Sequence, residues 1–220
     1  MTTADSLAEQ AADRVQRDIL AAALAPGARL AVHDLARRYG IGVTPLREAL
    51  ARLVGLGLVT ASTQRGFRVA EVSRADLADI TRARQAVEAA ALRLSMQEGD
   101  AEWEAEIVAA LHLLRRQAAA AGPGVETPAF DAAHKRFHAA LVAGCGSPRL
   151  LRAQSALYDE AYRYRRVMMT RFETWEDFLR IHAELADLVL ARDYEAANAA
   201  LMAHLASTLG YVYPPVETEA

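Results

Sequence analysis

Two β-prone runs, Val59–Ser62 and Phe67–Val72, face each other across the tip Thr63-Gln64-Arg65-Gly66, and no strand candidate follows them. Short runs closing on a glycine-bearing tip read as a hairpin. The elements before the hairpin narrow its setting. Leu7–Leu24 has a helical pattern that stops at the turn signal Pro26-Gly27, and Val32–Tyr39 is a second short helix ending at Gly40. Thr44-Pro45 then supplies an N-cap and a proline at the first helical position. In this third helix Leu46, Leu50 and Leu53 form one stripe, Arg47, Glu48, Ala51 and Arg52 face outward, and Gly57 ends it. Three short helices followed by a hairpin predict a winged helix-turn-helix.

From Ser73 onward the chain reads as helix. Ser73 is expected to cap a helix reaching Gln97, and Ala101–Ala120 is the next. After a loop at Gly122-Pro123-Gly124 come Pro128–Ala143, a breaker at 144–148, and helices Arg149–Thr170, Thr174–Ala191 and Tyr194–Leu209. Composition agrees, with 49 alanines against 7 prolines and 12 glycines. The expected architecture is mainly α: a winged helix-turn-helix over 1–72, an all-α six-helix bundle over 73–212, and a flexible tail over 213–220. The single cysteine, Cys145, excludes a disulfide scaffold and fits a reducing compartment. No apolar run is long enough to span a bilayer, and the opening MTTADSLAEQ lacks a secretory signal, so a cytoplasmic protein without a membrane partner is expected.

The formal net charge of -3 hides an uneven distribution. All but one of the 25 basic residues are arginine, the exception being Lys135. Residues 1–72 carry 9 arginines against 7 acidic residues, and within Arg29–Arg68 there are 7 arginines against only Asp34 and Glu48. Such a compact basic segment is either a solvated face or a polyanion-binding module.

Residues Leu24–Val69 join the PG turn, TPLREAL, a following GLV and RGF, and in this they resemble the DNA-binding domain of GntR-family bacterial regulators. The later chain resembles the helical effector-binding (FCD) domain of the FadR-type subfamily, whose members often hold a metal. Its marks are Arg84 with Glu88, FHAAL at Phe137–Leu141, IHAEL and MAHL. CGSPRLL followed by LYDEAYRYRR is similar to the glutarate-sensing repressors of carbon-starvation genes.

A recognition helix meets base edges with its N-terminal residues. Arg47 lies there, with Thr44 and first-turn N–H groups toward phosphates; the resemblance implies that Arg47 contacts the operator. Arg65-Gly66 suits a minor groove, while Arg37, Arg38 and Arg52 suit phosphates. Gly42-Val43 stands where the family usually has Ser-Arg, and His33 where many relatives carry arginine, so a different operator with more shape readout is expected.

Four of the six histidines, His134, His138, His182 and His204, lie in the last four helices. His134 and His138 are one turn apart on the face of Phe130, Phe137 and Leu141. His182 shares the stripe of Phe178, Leu185 and Val189, and His204 that of Leu201 and Leu205. Each alone could be a core histidine bonded to a backbone carbonyl. Four inward imidazoles are costly to bury unless satisfied, and a divalent transition metal does so most simply: zinc first, nickel or iron as further options. The resemblance implies a site of one aspartate and three histidines, and the spacings of 44 and 22 residues from His138 to His182 and on to His204 match it. His134 takes the aspartate's place, giving a softer, more neutral donor set, with Asp131 as a nearby outer carboxylate.

Arg84 and Arg165 fall on apolar stripes, and a buried guanidinium wants a carboxylate. Glu88, one turn from Arg84, is one candidate partner; a small organic acid bound beside the metal is the other. Gln154, Tyr158 and Tyr164 could add neutral hydrogen bonds. The expected function is a ligand-responsive regulator, acting as a homodimer on palindromic double-stranded operator DNA and released by a dicarboxylate such as glutarate. The alternatives are a helical-bundle metalloenzyme and a constitutive DNA binder with structural histidines. Paired Glu-x-x-His and His-Glu-x-x-His are both absent, which counts against the enzyme.

Overall fold

In the computed structural model, helix α1 (Leu7–Leu20) opens on a reciprocal cap: Ser6 Oγ accepts the Glu9 N–H and the Glu9 carboxylate accepts the Ser6 N–H. It stops four residues before the expected Leu24, because the chain turns at Ala22, which takes a left-handed conformation at φ 54°. The structure describes residues 6–62, 66–121, 127–169 and 175–214; the side chains of 165–169 and 175 also fall outside the description. The chain divides into two compact units, Met1–Ser73 and Arg74–Ala220.

In the first unit, α2 (Val32–Tyr39) and α3 (Val43–Gly55) follow α1. Gly42, not Thr44, is the N-cap of α3, and Pro45 is its third residue. Proline is tolerated there because an N–H in the first turn has no intrahelical acceptor. Strands β1 (Arg29–Leu30), β2 (Val59–Ser62) and β3 (Gly66–Val69) form an antiparallel sheet in the order β1-β3-β2. Two-residue β1 is too short to show a period in sequence, and β3 ends at Val69 rather than the expected Val72. Val15, Ile19, Leu46, Leu50, Leu53 and Leu58 pack the core, so the outward face of α3 carries Arg47, Glu48, Ala51 and Arg52 as the stripe predicts.

The second unit contains α4 (Arg74–Glu98), α5 (Ala101–Ala121), α6 (Pro128–Val142), a 3-10 turn at Ala143–Cys145, α7 (Pro148–Met169), α8 (Trp175–Leu190) and α9 (Tyr194–Val212). Thr127 caps α6 and Asp193 caps α9. Helix α4 packs on α6, α7 and α9, and α5 on α6 and α8. Phe130, Phe137, Ile107, Leu114 and Leu92 fill the centre. Arg192, in the turn before α9 at φ 59°, donates to the Met96 and Gly99 carbonyls, pairs with Glu104 at 2.6 Å and lies over the Trp103 ring. It thereby caps the C-terminal end of α4 from far along the chain. The loop expected at 122–124 and residues 215–220 of the expected tail lie outside the described residues. Among the described residues no helix is long and apolar enough to cross a membrane.

Candidate functional site

The first unit presents a groove lined by Arg29, His33, Arg47, Gly66 and Phe67 among others. Arg47 is exposed and, among the described residues, has no hydrogen bond or ion pair. Thr44 is exposed in the first turn of the same helix. Gly66 has φ +70°, a conformation that side-chain-bearing residues rarely adopt, and Arg65 lies outside the described residues. Arg37 pairs with Asp34, Arg38 approaches Asp18 at 3.5 Å and Arg52 approaches Glu9 at 3.5 Å. These pairs are solvent-exposed and cost little to exchange for phosphate. The groove thus gathers Arg47 and Gly66, while Arg38 and Arg52 lie outside its lining. Arg29 joins it through β1, the strand too short to be read in sequence.

In the second unit His134 and His138 on α6, His182 on α8 and His204 on α9 converge, their ligating nitrogens all within 4.8 Å of one another. The Nε2 atoms of His134 and His182 are 2.8 Å apart, those of His134 and His138 3.1 Å, and those of His138 and His204 3.2 Å. Nitrogens on adjacent corners around an ion at ~2.1 Å lie about 3.0–3.4 Å apart, so the spacing fits one shared divalent ion. His182 Nδ1 donates to the Phe178 carbonyl at 2.6 Å, which leaves the Nε2 lone pair of the neutral ring turned inward. Tyr158 hydroxyl meets His134 Nδ1 at 2.8 Å and orients that ring. Burial, with His204, Arg84 and His182 adding to it, holds His138 well below the usual histidine range and keeps it in the neutral, ligating form. Donor chemistry and geometry therefore both suit a transition metal. Asp131 is not part of the cluster; it accepts the Tyr162 hydroxyl.

Arg84, Tyr158, His134, His182 and His204 share the wall of a cavity of about 70 Å³, room for several water-sized groups. Of the two candidate partners for Arg84, the structure shows Glu88. The Arg84 Nε donates to Glu88 Oε1 at 2.8 Å, with both side chains buried, while Nη2 is buried without a partner among the described residues. Burial pushes the Glu88 carboxyl up and the adjacent guanidinium pulls it down; the burial effect is the larger. Gln154 is buried with an unpartnered Nε2 but does not line the cavity, and Tyr164 instead donates to Asp76 at 2.6 Å. The side chain of Arg165 lies outside the described residues. Lining residues missed in sequence include Ser207 and Tyr211, three and seven positions after His204, while Thr208 lies on the stripe that His204 shares with Leu201 and Leu205 in sequence.

Residues 7–69 match the family described as bacterial regulatory proteins, gntR family, and residues 79–207 match the FCD domain. The chain is 40% identical over 195 residues to the HTH-type transcriptional repressor GlaR of Escherichia coli strain K12, covering 87% of this chain and 89% of that protein. It is 37% identical over 209 residues to the uncharacterized HTH-type transcriptional regulator BphR of Paraburkholderia xenovorans strain LB400, covering 94% and 85%. Among solved structures, E. coli McbR/YncC superposes with a TM-score of 0.80 at 23% identity, covering 96% of this chain and 98% of that one. At that identity the likeness speaks for the fold.

Proposed function

The chain belongs to the GntR family of bacterial regulators and carries an FCD domain, and from that premise we propose that it is a ligand-responsive repressor whose signal is a small dicarboxylate. Its family is one of transcriptional regulators, which sets the metalloenzyme alternative aside. One observation carries the ligand reading: Arg84, whose buried Nη2 has no partner among the described residues, lines the same cavity as His134, His182 and His204.

The four imidazoles would hold a divalent ion, zinc first and nickel or iron as alternatives, which supplies a Lewis-acidic anchor for a carboxylate. Neutral imidazoles leave the ion's two charges unmatched, and Arg84 is already matched by Glu88. A dianion restores balance where a neutral sugar does not. One carboxylate is expected at the metal end and the other on Arg84, with Tyr158 holding His134 in place. Glutarate fits this description. Glu88 neutralises Arg84 inside the fold, which lowers the repulsion between the guanidinium and an ion held by the histidines.

On the DNA side, Arg47 is cast as the base-reading arginine, Arg65 and Gly66 as minor-groove contacts, and Thr44, Arg37, Arg38 and Arg52 as phosphate contacts. A homodimer on a palindromic operator supplies two such heads. To release DNA, the diacid must bind the DNA-free state more tightly by the free energy it removes from operator binding. Such a protein works in the cytoplasm.

The test is a thermal-shift and operator-binding screen of mono-, di- and tricarboxylates on protein whose metal content is measured without a His tag. A divalent ion on each chain is expected, with chelation lowering Tm and a diacid both raising Tm and weakening operator binding. Metal-free protein, indifferent to chelator and to every carboxylate, would make it a constitutive binder with structural histidines.

A further inference from the structure

The winged unit holds a second basic site. Arg14 and Arg17 stand three positions apart on α1, Arg38 lies on the last turn of α2, and together with Asp18 and Tyr39 they line one pocket. Their positions are set by internal contacts. Arg14 Nη1 donates to the Tyr39 carbonyl at 2.8 Å, and its guanidinium carbon lies 4.9 Å from the Tyr39 ring centroid. Arg38 approaches the same ring at 5.8 Å, and the Tyr39 hydroxyl donates to Asp18 Oδ2 at 2.6 Å. Arg17 donates only to the Asp13 carbonyl of its own helix, at 3.2 Å, and among the described residues has no carboxylate partner.

Three guanidiniums around one carboxylate leave two positive charges unmatched. The spare N–H donors form planar forks, and the aromatic ring between Arg14 and Arg38 holds both in register. Such forks match the tetrahedral oxygens of a phosphate bidentately and match an apolar or neutral ligand poorly.

Location narrows the source of that phosphate. His33, the second residue of α2, lines the reading groove, and Arg38, the seventh, lines this pocket. Five residues of helix rise about 7.5 Å. One DNA strand places a phosphate every ~3.4 Å along its axis, so this separation is about two backbone steps. A strand that crosses α2 beside the groove would bring its next phosphates to the Arg38 end of that helix.

We infer that Arg14, Arg17 and Arg38, fixed around Tyr39, form a phosphate cradle that grips the DNA backbone beside the reading groove. The inference rests on the operator-binding reading and adds Arg14 and Arg17, on a helix that the reading itself leaves without a DNA contact.

Full-length protein tests it, titrated over a salt series against two duplexes: one selected by the protein from random sequence, and one of arbitrary sequence. Arg17→Gln is the cleanest variant, because among the described residues Arg17 makes no hydrogen bond or ion pair to another helix, and its loss should leave Tm unchanged. Arg17→Gln and Arg38→Gln should each make the slope of log affinity against log salt shallower by about 0.9, equally on both duplexes. Arg116→Gln, exposed on α5, controls for the loss of one charge and should leave the slope in place. Unchanged slopes in both cradle variants, while Arg47→Ala still loses its preference for the selected duplex, overturn the cradle and leave the operator reading standing. If wild type binds neither duplex, both fall. If inorganic phosphate raises the Tm of wild type but not of Arg17→Gln, with slopes unchanged, the site takes a free phosphate and the DNA assignment is overturned.

Discussion

On the proposed reading the groove around Arg47 and the histidine cavity both take an anion, yet they prepare for it by opposite means. In the groove, Arg47 stands exposed and unpaired, a full charge kept in water at no desolvation cost. In the cavity the groups are buried and held neutral or paired: His138 is kept deprotonated by burial, and Arg84 is tied to Glu88. A polyanion that binds through many weak contacts needs only solvated cations on a firm scaffold. A single small acid must be drawn from water into a closed site, where every charge needs a partner before and after binding.

The sharpest way to break this contrast is to remove a charge from each side. Arg84→Ala strands Glu88 in the core and should destabilise the helical unit by about 3 kcal/mol, the low end for a broken buried pair, because the Glu88 carboxyl can take up a proton. Replacing both partners, Arg84→Met with Glu88→Leu, should recover most of that stability in a denaturant titration while diacid binding stays lost. If Arg84→Ala costs nothing, the pair is not the buried unit described.

Arg47→Ala should leave stability alone and remove about 1–3 kcal/mol of operator discrimination. Arg52→Ala, whose side chain already meets Glu9, should instead weaken operator and arbitrary DNA alike. Competition binding separates the two, and equal losses of discrimination would end the distinction between them.

The smallest effect is in acid. His138 lies below the usual histidine value in the folded chain, so the unfolded chain takes up a proton first as pH falls. Its contribution is present above about 6.5 and is lost from there toward the depressed folded value, at up to ~1.4 kcal/mol per pH unit. Calorimetry of chelator-treated protein from about pH 8 to 5 checks this; a helical unit indifferent to acid contradicts the neutral cluster.

Much of this layout was legible in the chain because its signals are local. Caps, prolines, glycines and apolar stripes place α2, α3 and the six later helices to within a few residues, and the i, i+4 histidines on α6 declare an inward face that could hold a metal. What stayed hidden depends on partners distant in sequence or on backbone atoms. The Phe178 carbonyl that sets the His182 tautomer has no side-chain signature, and Tyr158 reads as a ligand contact until α7 is seen against His134. Arg84 had two candidate partners and uses one while facing the other site, an outcome that spacing cannot express. Thr44-Pro45 misled by two positions, since Gly42 can also cap and proline is tolerated throughout the first turn.

Arg192 has a consequence for the order in which the chain becomes functional. Its bonds reach back 96 residues to Met96 and 93 to Gly99, so the end of α4 stays uncapped until nearly the whole helical unit has emerged from the ribosome. The winged unit is complete by Ser73, and its domain can fold while the rest is still being made. During synthesis, each molecule therefore acquires the part that grips DNA well before the helical unit is complete.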